Sequence, residues 1–182
     1  MFNTEAKFYD QFHQDKNYRK EARMLRKAFP KAKTVFEIGC GTGNLTKELE
    51  KLGFKVTCVE PSEEMLKYFK GKTKKVLHRK INDPWFLLWE KKFDLVLALY
   101  DVLNYIPEND FVSVFCKIFS MSKNRVIEVW PNKPVKFFTY KKAGDIHRIR
   151  LGIQLKERVF LWYIYFGLHE ICSETHMLYM HI

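Results

Sequence analysis

Apolar residues recur at helical spacing across residues 17–29, where Tyr18, Ala22, Leu25, Ala28 and Phe29 are separated by lysines and arginines and Pro30 marks the stop. This predicts an amphipathic N-terminal helix. Residues 34–38 form a short apolar run of strand type, and after a cluster of glycines Leu45, Leu49 and Leu52 predict a second helical face that ends at Gly53. Residues 55–60 (KVTCVE) read as a second strand. Pro61 and Ser62 then open a helix with Glu63 and Glu64 in its first turn and Met65, Leu66 and Phe69 facing inward. Residues 75–78 are a weaker third strand, 93–99 (FDLVLAL) a strong fourth and 124–130 (NRVIEVW) a fifth, with Val112, Phe115, Ile118 and Phe119 marking the helix between the last two. Strands alternating with helices predict an α/β fold built on a parallel, doubly wound sheet.

The pattern changes after Trp130. A Pro/Lys-rich connection (PNKPVKFFTYKK) leads to strand-like segments at 146–151, 158–166 and 173–182 with no helical segment among them. These predict antiparallel strands added to the parallel sheet. A chain of 182 residues with 47% apolar side chains can bury one sizeable core. The expected organisation is therefore one domain: an N-terminal cap over 1–30, a core over 31–130 and antiparallel strands over 131–182.

Composition narrows the setting. No apolar run approaches a membrane span and the N-terminus lacks a basic-then-apolar leader, so the expectation is a cytoplasmic protein with no membrane partner. Cys40, Cys58, Cys116 and Cys172 are far apart and show no metal-ligand spacing, which argues against a zinc site and suits a reducing compartment. Lysine and arginine outnumber acids 32 to 21, a net charge of +11. That excess favours an anionic partner such as a nucleic acid, a phosphorylated small molecule or a membrane surface, or simply solvates the surface.

The candidate chemistry begins at Gly39, Gly41 and Gly43, which follow a strand and precede a helix, where backbone turns tightly and approaches a ligand without a Cβ in the way. A dinucleotide fingerprint would place its third glycine at position 44, where Asn44 stands. Glu37, two residues before the first glycine, favours a sulfonium cofactor, whose methionine ammonium needs an anionic neighbourhood. Glu60 ends the second strand, 17 residues beyond Gly43, where a carboxylate can accept both ribose hydroxyls. The alternatives at these two acids are an ion pair at the sheet end and a solvated strand-end carboxylate.

Together, Glu37 to Gly43 as E-x-G-x-G-x-G and the acid at Glu60 resemble the class I S-adenosylmethionine-dependent methyltransferases. FYDQFHQDKNYRKEA (8–22) is similar to the N-terminal cap of the nucleotide-amino-sugar N-methyltransferases, FDLVLALYDVLNYI (93–106) to their fourth strand with its D-x-L-N-Y continuation, and SETHMLYM (173–180) to an E-T-H-x-M strand of related small-molecule enzymes. The resemblance implies a Rossmann-like fold and S-adenosylmethionine as cofactor. It implies a cofactor lid at Tyr9 and Tyr18, and a substrate mouth with catalytic candidates Asp101, Asn104 and His176. The cofactor set it implies adds Cys40, Asn44, Pro61, Met65, Leu99, Tyr100 and Tyr105 to the glycines and the two acids, with Asp83 of KINDPW toward the adenine. Tyr18 as a mere apolar edge and His176 as a strand-surface histidine are the bland alternatives.

Such enzymes continue past the E-T-H strand with a last helix and two closing strands. The chain stops at Ile182, so these elements are expected to be absent and the fifth strand to present an open edge. The acceptor expected is a small molecule, such as the amine of a nucleotide-linked sugar, its diphosphate met by Lys133, Lys136, Lys141, Lys142, Arg148 and Arg150. Two other readings stay open: a nucleic-acid (RNA) methyltransferase, and a cofactor-binding but inactive subunit completed by a partner chain or a homodimer. The sequence NDPW at 82–85 precedes the fourth strand and is read as a turn, not as the Asn/Asp-Pro-Pro-aromatic tetrad of base-modifying enzymes.

Overall fold

The computed structural model describes residues 6–128 and, in backbone, the segments 136–143, 146–155, 158–166 and 171–179. Helix α1 (Tyr9–Phe12) leads to α2 (Tyr18–Ala28), where the Asn17 side chain accepts the Lys20 N–H at 2.9 Å and so satisfies one of the orphan donors at the helix start. Ala22 and Leu25 are its buried face. Then follow β1 (Thr34–Ile38), α3 (Asn44–Lys51), β2 (Lys55–Val59), α4 (Glu63–Leu66), β3 (Val76–Leu77), α5 (Pro84–Leu88), β4 (Leu95–Ala98), a 3-10 turn (Val102–Tyr105), α6 (Glu108–Met121) and β5 (Arg125–Ile127).

The five strands form a parallel sheet of order β3-β2-β1-β4-β5, wound outward in both directions from β1 and β4. Strand alternation divides the core in two. Val35, Val56, Cys58, Leu95 and Leu97 pack with Leu45, Leu49, Ala22 and Leu25 on one face, while Phe36, Ile38, Val59, Val96 and Ala98 pack with Phe86, Val114, Ile118 and Met121 on the other. A sheet covered on both faces explains why its strands read as continuous apolar runs. The strand order reverses at the carboxyl edge between β1 and β4, the place where open α/β sheets bind their ligands.

Three expectations are corrected. On α6 the buried positions are Val114, Ile118 and Met121, whereas Val112 and Phe119 are exposed. Rings at Phe111, Phe115 and Phe119 stack along the helix and gave a competing apolar stripe. NDPW is not a bare turn: Asp83 is extended and Pro84 starts α5, a first helical position for which its fixed φ is suited. Finally, the C-terminal segments do not extend the parallel sheet. β6 (Lys136–Ala143), β7 (Ile146–Leu155), β8 (Arg158–Phe166) and β9 (Ile171–Tyr179) form a second, four-stranded antiparallel sheet of order β6-β7-β8-β9. Part of the expected Pro/Lys-rich connection is thus strand β6. Connections of a few residues make consecutive strands antiparallel neighbours, which explains the self-contained meander. Its β9 runs beside the 3-10 turn and its β6 beside α1.

Candidate functional site

The loop from β1 to α3 is tied to β2 by the Gly39 N–H, which donates to the Val59 carbonyl at 2.8 Å. Gly39, Gly41 and Gly43 have φ of +72°, +53° and +71°, a left-handed conformation that side chains resist. Each glycine answers to a different neighbour. A Cβ on Gly39 would lie 2.3 Å from Val102 Cγ2, and one on Gly43 would lie 2.5 Å from the Phe69 ring. At Gly41 a Cβ would meet nothing within 4 Å. Two glycines are therefore required by packing, and the middle one presents bare backbone to open space.

Glu60 stands directly beside that bare backbone. Its side chain is buried, and its two oxygens accept the Gly41 N–H and the Ser62 N–H, each at 2.9 Å. Burial raises its pKa and the two backbone donors lower it, the net being upward. The two N–H groups fix the plane of a carboxylate that keeps further lone pairs for a diol. Pro61 and Met65 continue from it: the Pro61 carbonyl accepts from His78 Nε2 at 3.1 Å, and the buried Met65 donates its N–H to Ser62 Oγ at 3.2 Å.

Glu37 is the second buried acid of this region, in β1 two residues before Gly39. It lies on the α3 side of β1, buried behind the glycine loop, where the Thr46 hydroxyl donates to it at 2.5 Å. Burial raises its pKa from 4.5 to about 7, the Thr46 bond opposing and Glu50 and Glu60 adding to the rise. The folded chain thus holds a proton that the unfolded chain releases above pH 4.5. The stability this group contributes is complete below that value and lost as pH rises through 7, an effect of about 3 kcal/mol. Glu37→Gln is expected to flatten the dependence and to be more stable than the parent at pH 8, read by urea denaturation between pH 5 and 8. Parallel profiles for the two proteins would contradict this assignment.

The N-terminal cap is fastened over the loop through Asp10. Its carboxylate accepts from Thr42 Oγ1 at 2.8 Å, from Asn44 Nδ2 at 2.5 Å and from Lys70 Nζ. Burial raises its pKa, and these donors more than offset that, so Asp10 stays below the usual carboxylate range. Tyr9 stacks on His13 with ring centroids 4.2 Å apart. Tyr18 meets Tyr100 edge to face at 5.9 Å, and burial raises the pKa of both phenols. The cap thereby reaches the end of β4.

Beyond Leu99, which packs on the core, Tyr100 and Asp101 both have positive φ, of 60° and 58°. Two successive side chains in this region are costly, and such strain concentrates where a site is built. The Tyr100 N–H donates to Glu128 Oε2 at 2.9 Å and its hydroxyl donates to Glu21. Asn104 is buried in the 3-10 turn and Tyr105 half-buried at its end.

Not every candidate converges here. Cys40 is buried in the core cluster that holds Cys58, with its N–H 3.3 Å from the Val59 carbonyl. The neighbouring Cys58 thiol, then burial, raises its pKa, which leaves an unreactive thiol. Asp83 precedes α5 without capping it, and its neighbour Asn82 donates to Asp110 Oδ2 at 2.8 Å. His176 stands in β9 opposite Leu161, beyond the residues whose side chains are described, as are the side chains of Lys136, Lys141, Lys142, Arg148 and Arg150; Lys133 lies outside the described residues altogether. An open cleft is lined by residues 14–19 with Asn44, Lys47 and Glu48, and shares only Tyr18 and Asn44 with the expected cofactor set.

Sequence reasoning missed Asp10, Lys16, Glu21, Thr46, Lys70 and Glu128. Asp10 and Glu21 sat inside the cap segment already compared with a family, and the signal that finds them is polar residues on the inner side of an amphipathic helix. Lys70 and Glu128 carry no local signal, because their partners come from distant elements.

Residues 35–125, half of the chain, match the family model described as a methyltransferase domain. YqeM of Bacillus subtilis (strain 168), provisionally named a methyltransferase, is 27% identical over 122 residues, 65% of this chain and 49% of that protein. The chain spans from 30% to 49% of the length of the first curated relatives it matches. Among solved structures, a S-adenosylmethionine-dependent methyltransferase from Clostridium acetobutylicum ATCC 824 has a TM-score of 0.76 at 18% identity, covering 99% of this chain and 82% of that one. CalS10 of Micromonospora echinaspora, an amino pentose methyltransferase solved with its cofactor S-adenosylmethionine bound, has a TM-score of 0.71 at 17% identity, covering 92% and 79%. At these identities the two structures speak for the fold alone.

Proposed function

The chain belongs to the methyltransferase-domain family, and from that premise we propose that it binds S-adenosylmethionine and transfers the methyl group to a small-molecule acceptor, an amine. The observation that carries the proposal is the pairing of Glu60, held by the Gly41 and Ser62 N–H groups, with the open backbone of Gly41 at the carboxyl ends of β2 and β1, beside the point where the strand order reverses. Bare peptide and a fixed carboxylate acceptor are the hydrogen-bonding groups that a methionine tail and an adenosine ribose require. When bound, the cofactor supplies an electrophilic methyl on a sulfonium that leaves as a neutral thioether.

The residues of the chain then have little bond chemistry to perform. Glu60 holds the ribose diol, the glycine loop carries the methionine tail, and Asp10 fastens the cap that excludes water. Orientation is the main source of rate, worth roughly 7 to 11 kcal/mol at its best. Asp101 and His176 of β9 are the candidates for receiving the acceptor's proton and Asn104 for orienting the acceptor, and an amine must be neutral to attack. CalS10 acts on an amino pentose by its name, which supports an amine acceptor for a chain of the same fold.

The test is incubation of the full chain with methyl-labelled S-adenosylmethionine and, separately, a panel of amino sugars and simple amines and a total RNA preparation. Label in a small acceptor is expected. The net charge of +11 favours a nucleic-acid acceptor as the competitor, and label in RNA alone would overturn the small-molecule assignment.

A further inference from the structure

The carboxyl end of β4 contains a cation site. Lys16 Nζ lies 3.7 Å from the centroid of the Tyr100 ring, the geometry of a close cation–π contact. Tyr100 is in turn fixed at both ends, its N–H on Glu128 and its hydroxyl on Glu21. The charges that act on the Lys16 amine are all acidic: Glu128, Glu21, Asp15 and Asp101. On a chain of net charge +11 this is a local inversion of sign. The strained backbone at Tyr100 and Asp101 lies at this same strand end.

We propose that the Tyr100 ring, flanked by the carboxylates of Glu21 and Glu128, is an ammonium-binding subsite that Lys16 fills and that the amine of the acceptor takes over by displacing it. The assignment to the acceptor rests on the methyltransferase reading; the existence of the subsite does not. Lys16 is a poor permanent occupant. Burial lowers its pKa although four carboxylates act to raise it, so its ammonium is held at a desolvation cost that ends when it swings into water. A ligand amine pinned by other contacts replaces it on the ring as an ammonium, and its proton passes to bulk water before the neutral amine attacks.

The experiment is an NMR titration of the full chain with methylammonium chloride, following the tyrosine ring resonances, without cofactor. Lys16→Met removes the internal competitor and is expected to bind methylammonium at least tenfold more tightly than the parent. Adding Glu21→Gln, which keeps shape and removes charge, is expected to reverse that gain, as is adding Tyr100→Leu. Equal affinities in the parent and Lys16→Met, or a gain that survives Glu21→Gln, would overturn the subsite. A repeat in saturating S-adenosylmethionine distinguishes the two sources of an ammonium group. Methylammonium that still binds identifies the acceptor's place, whereas its exclusion would mean that the cofactor's own α-ammonium sits there and would overturn the acceptor assignment. Failure of the cofactor to bind at all would sink the methyltransferase reading while leaving the amine titration interpretable.

Discussion

Glu60→Ala is expected to weaken S-adenosylmethionine binding by about 100-fold while leaving the fold intact. A carboxylate accepting two ribose hydroxyls contributes roughly 3 kcal/mol, since hydrogen bonds to a charged group each contribute about 1.5 to 3 kcal/mol and neighbouring ones do not fully add. Stability should change little, because two effects oppose. The variant leaves the Gly41 and Ser62 N–H groups without their acceptor, but it also removes a buried carboxylate whose raised pKa shows that burial costs more than those donors return. Calorimetric titration together with thermal unfolding checks both parts. Unchanged affinity, or loss of affinity only through unfolding, would contradict the role given to Glu60.

The glycine loop supplies the second large effect, and it is a contrast between neighbours. Gly39→Ala places a methyl 2.3 Å from Val102 Cγ2, a stiff β-branched side chain half-buried against the core, in backbone of φ +72°. Strain and overpacking together should cost about 2 to 4 kcal/mol, a fall of roughly 4 to 16 °C in Tm for a domain of this size. Gly41→Ala meets no atom and bears only the strain of φ +53°, about 1 kcal/mol. Its methyl, however, projects from the one stretch of loop left bare. Gly39→Ala should therefore read out as lost stability and Gly41→Ala as cofactor affinity lost tenfold or more with a nearly unchanged Tm. The reverse pattern would mean that the open side of the loop has been misassigned.

The periodic part of the fold was legible because each strand of a doubly covered sheet must be apolar and each covering helix must be amphipathic. Val35 to Ile38 and Leu95 to Ala98 could scarcely have been anything else. Legibility failed where two physical signals overlapped. On α6 the stacked rings of Phe111, Phe115 and Phe119 imitate a buried stripe while Val114, Ile118 and Met121 are the buried face. Beyond Trp130, alternation marked strands but held no information about partners, and the short connections chose a separate sheet.

At the site, the glycines and Glu60 could be read from spacing because the loop and the strand end are contiguous in sequence. Glu37 was found by the same spacing, but its place behind the loop depends on which side of β1 it faces, and Thr46 supplies the partner. Contacts such as Asp10 with Lys70, or Tyr100 with Glu21 and Glu128, join residues 60, 79 and 28 positions apart, and only the tertiary fold brings them together.

The most direct test of the central claim is calorimetric titration of S-adenosylmethionine into the folded full chain, with S-adenosylhomocysteine as competitor. A saturable one-to-one isotherm, displaced by the competitor, is predicted. No heat and no thermal shift from protein that is folded by circular dichroism would contradict it.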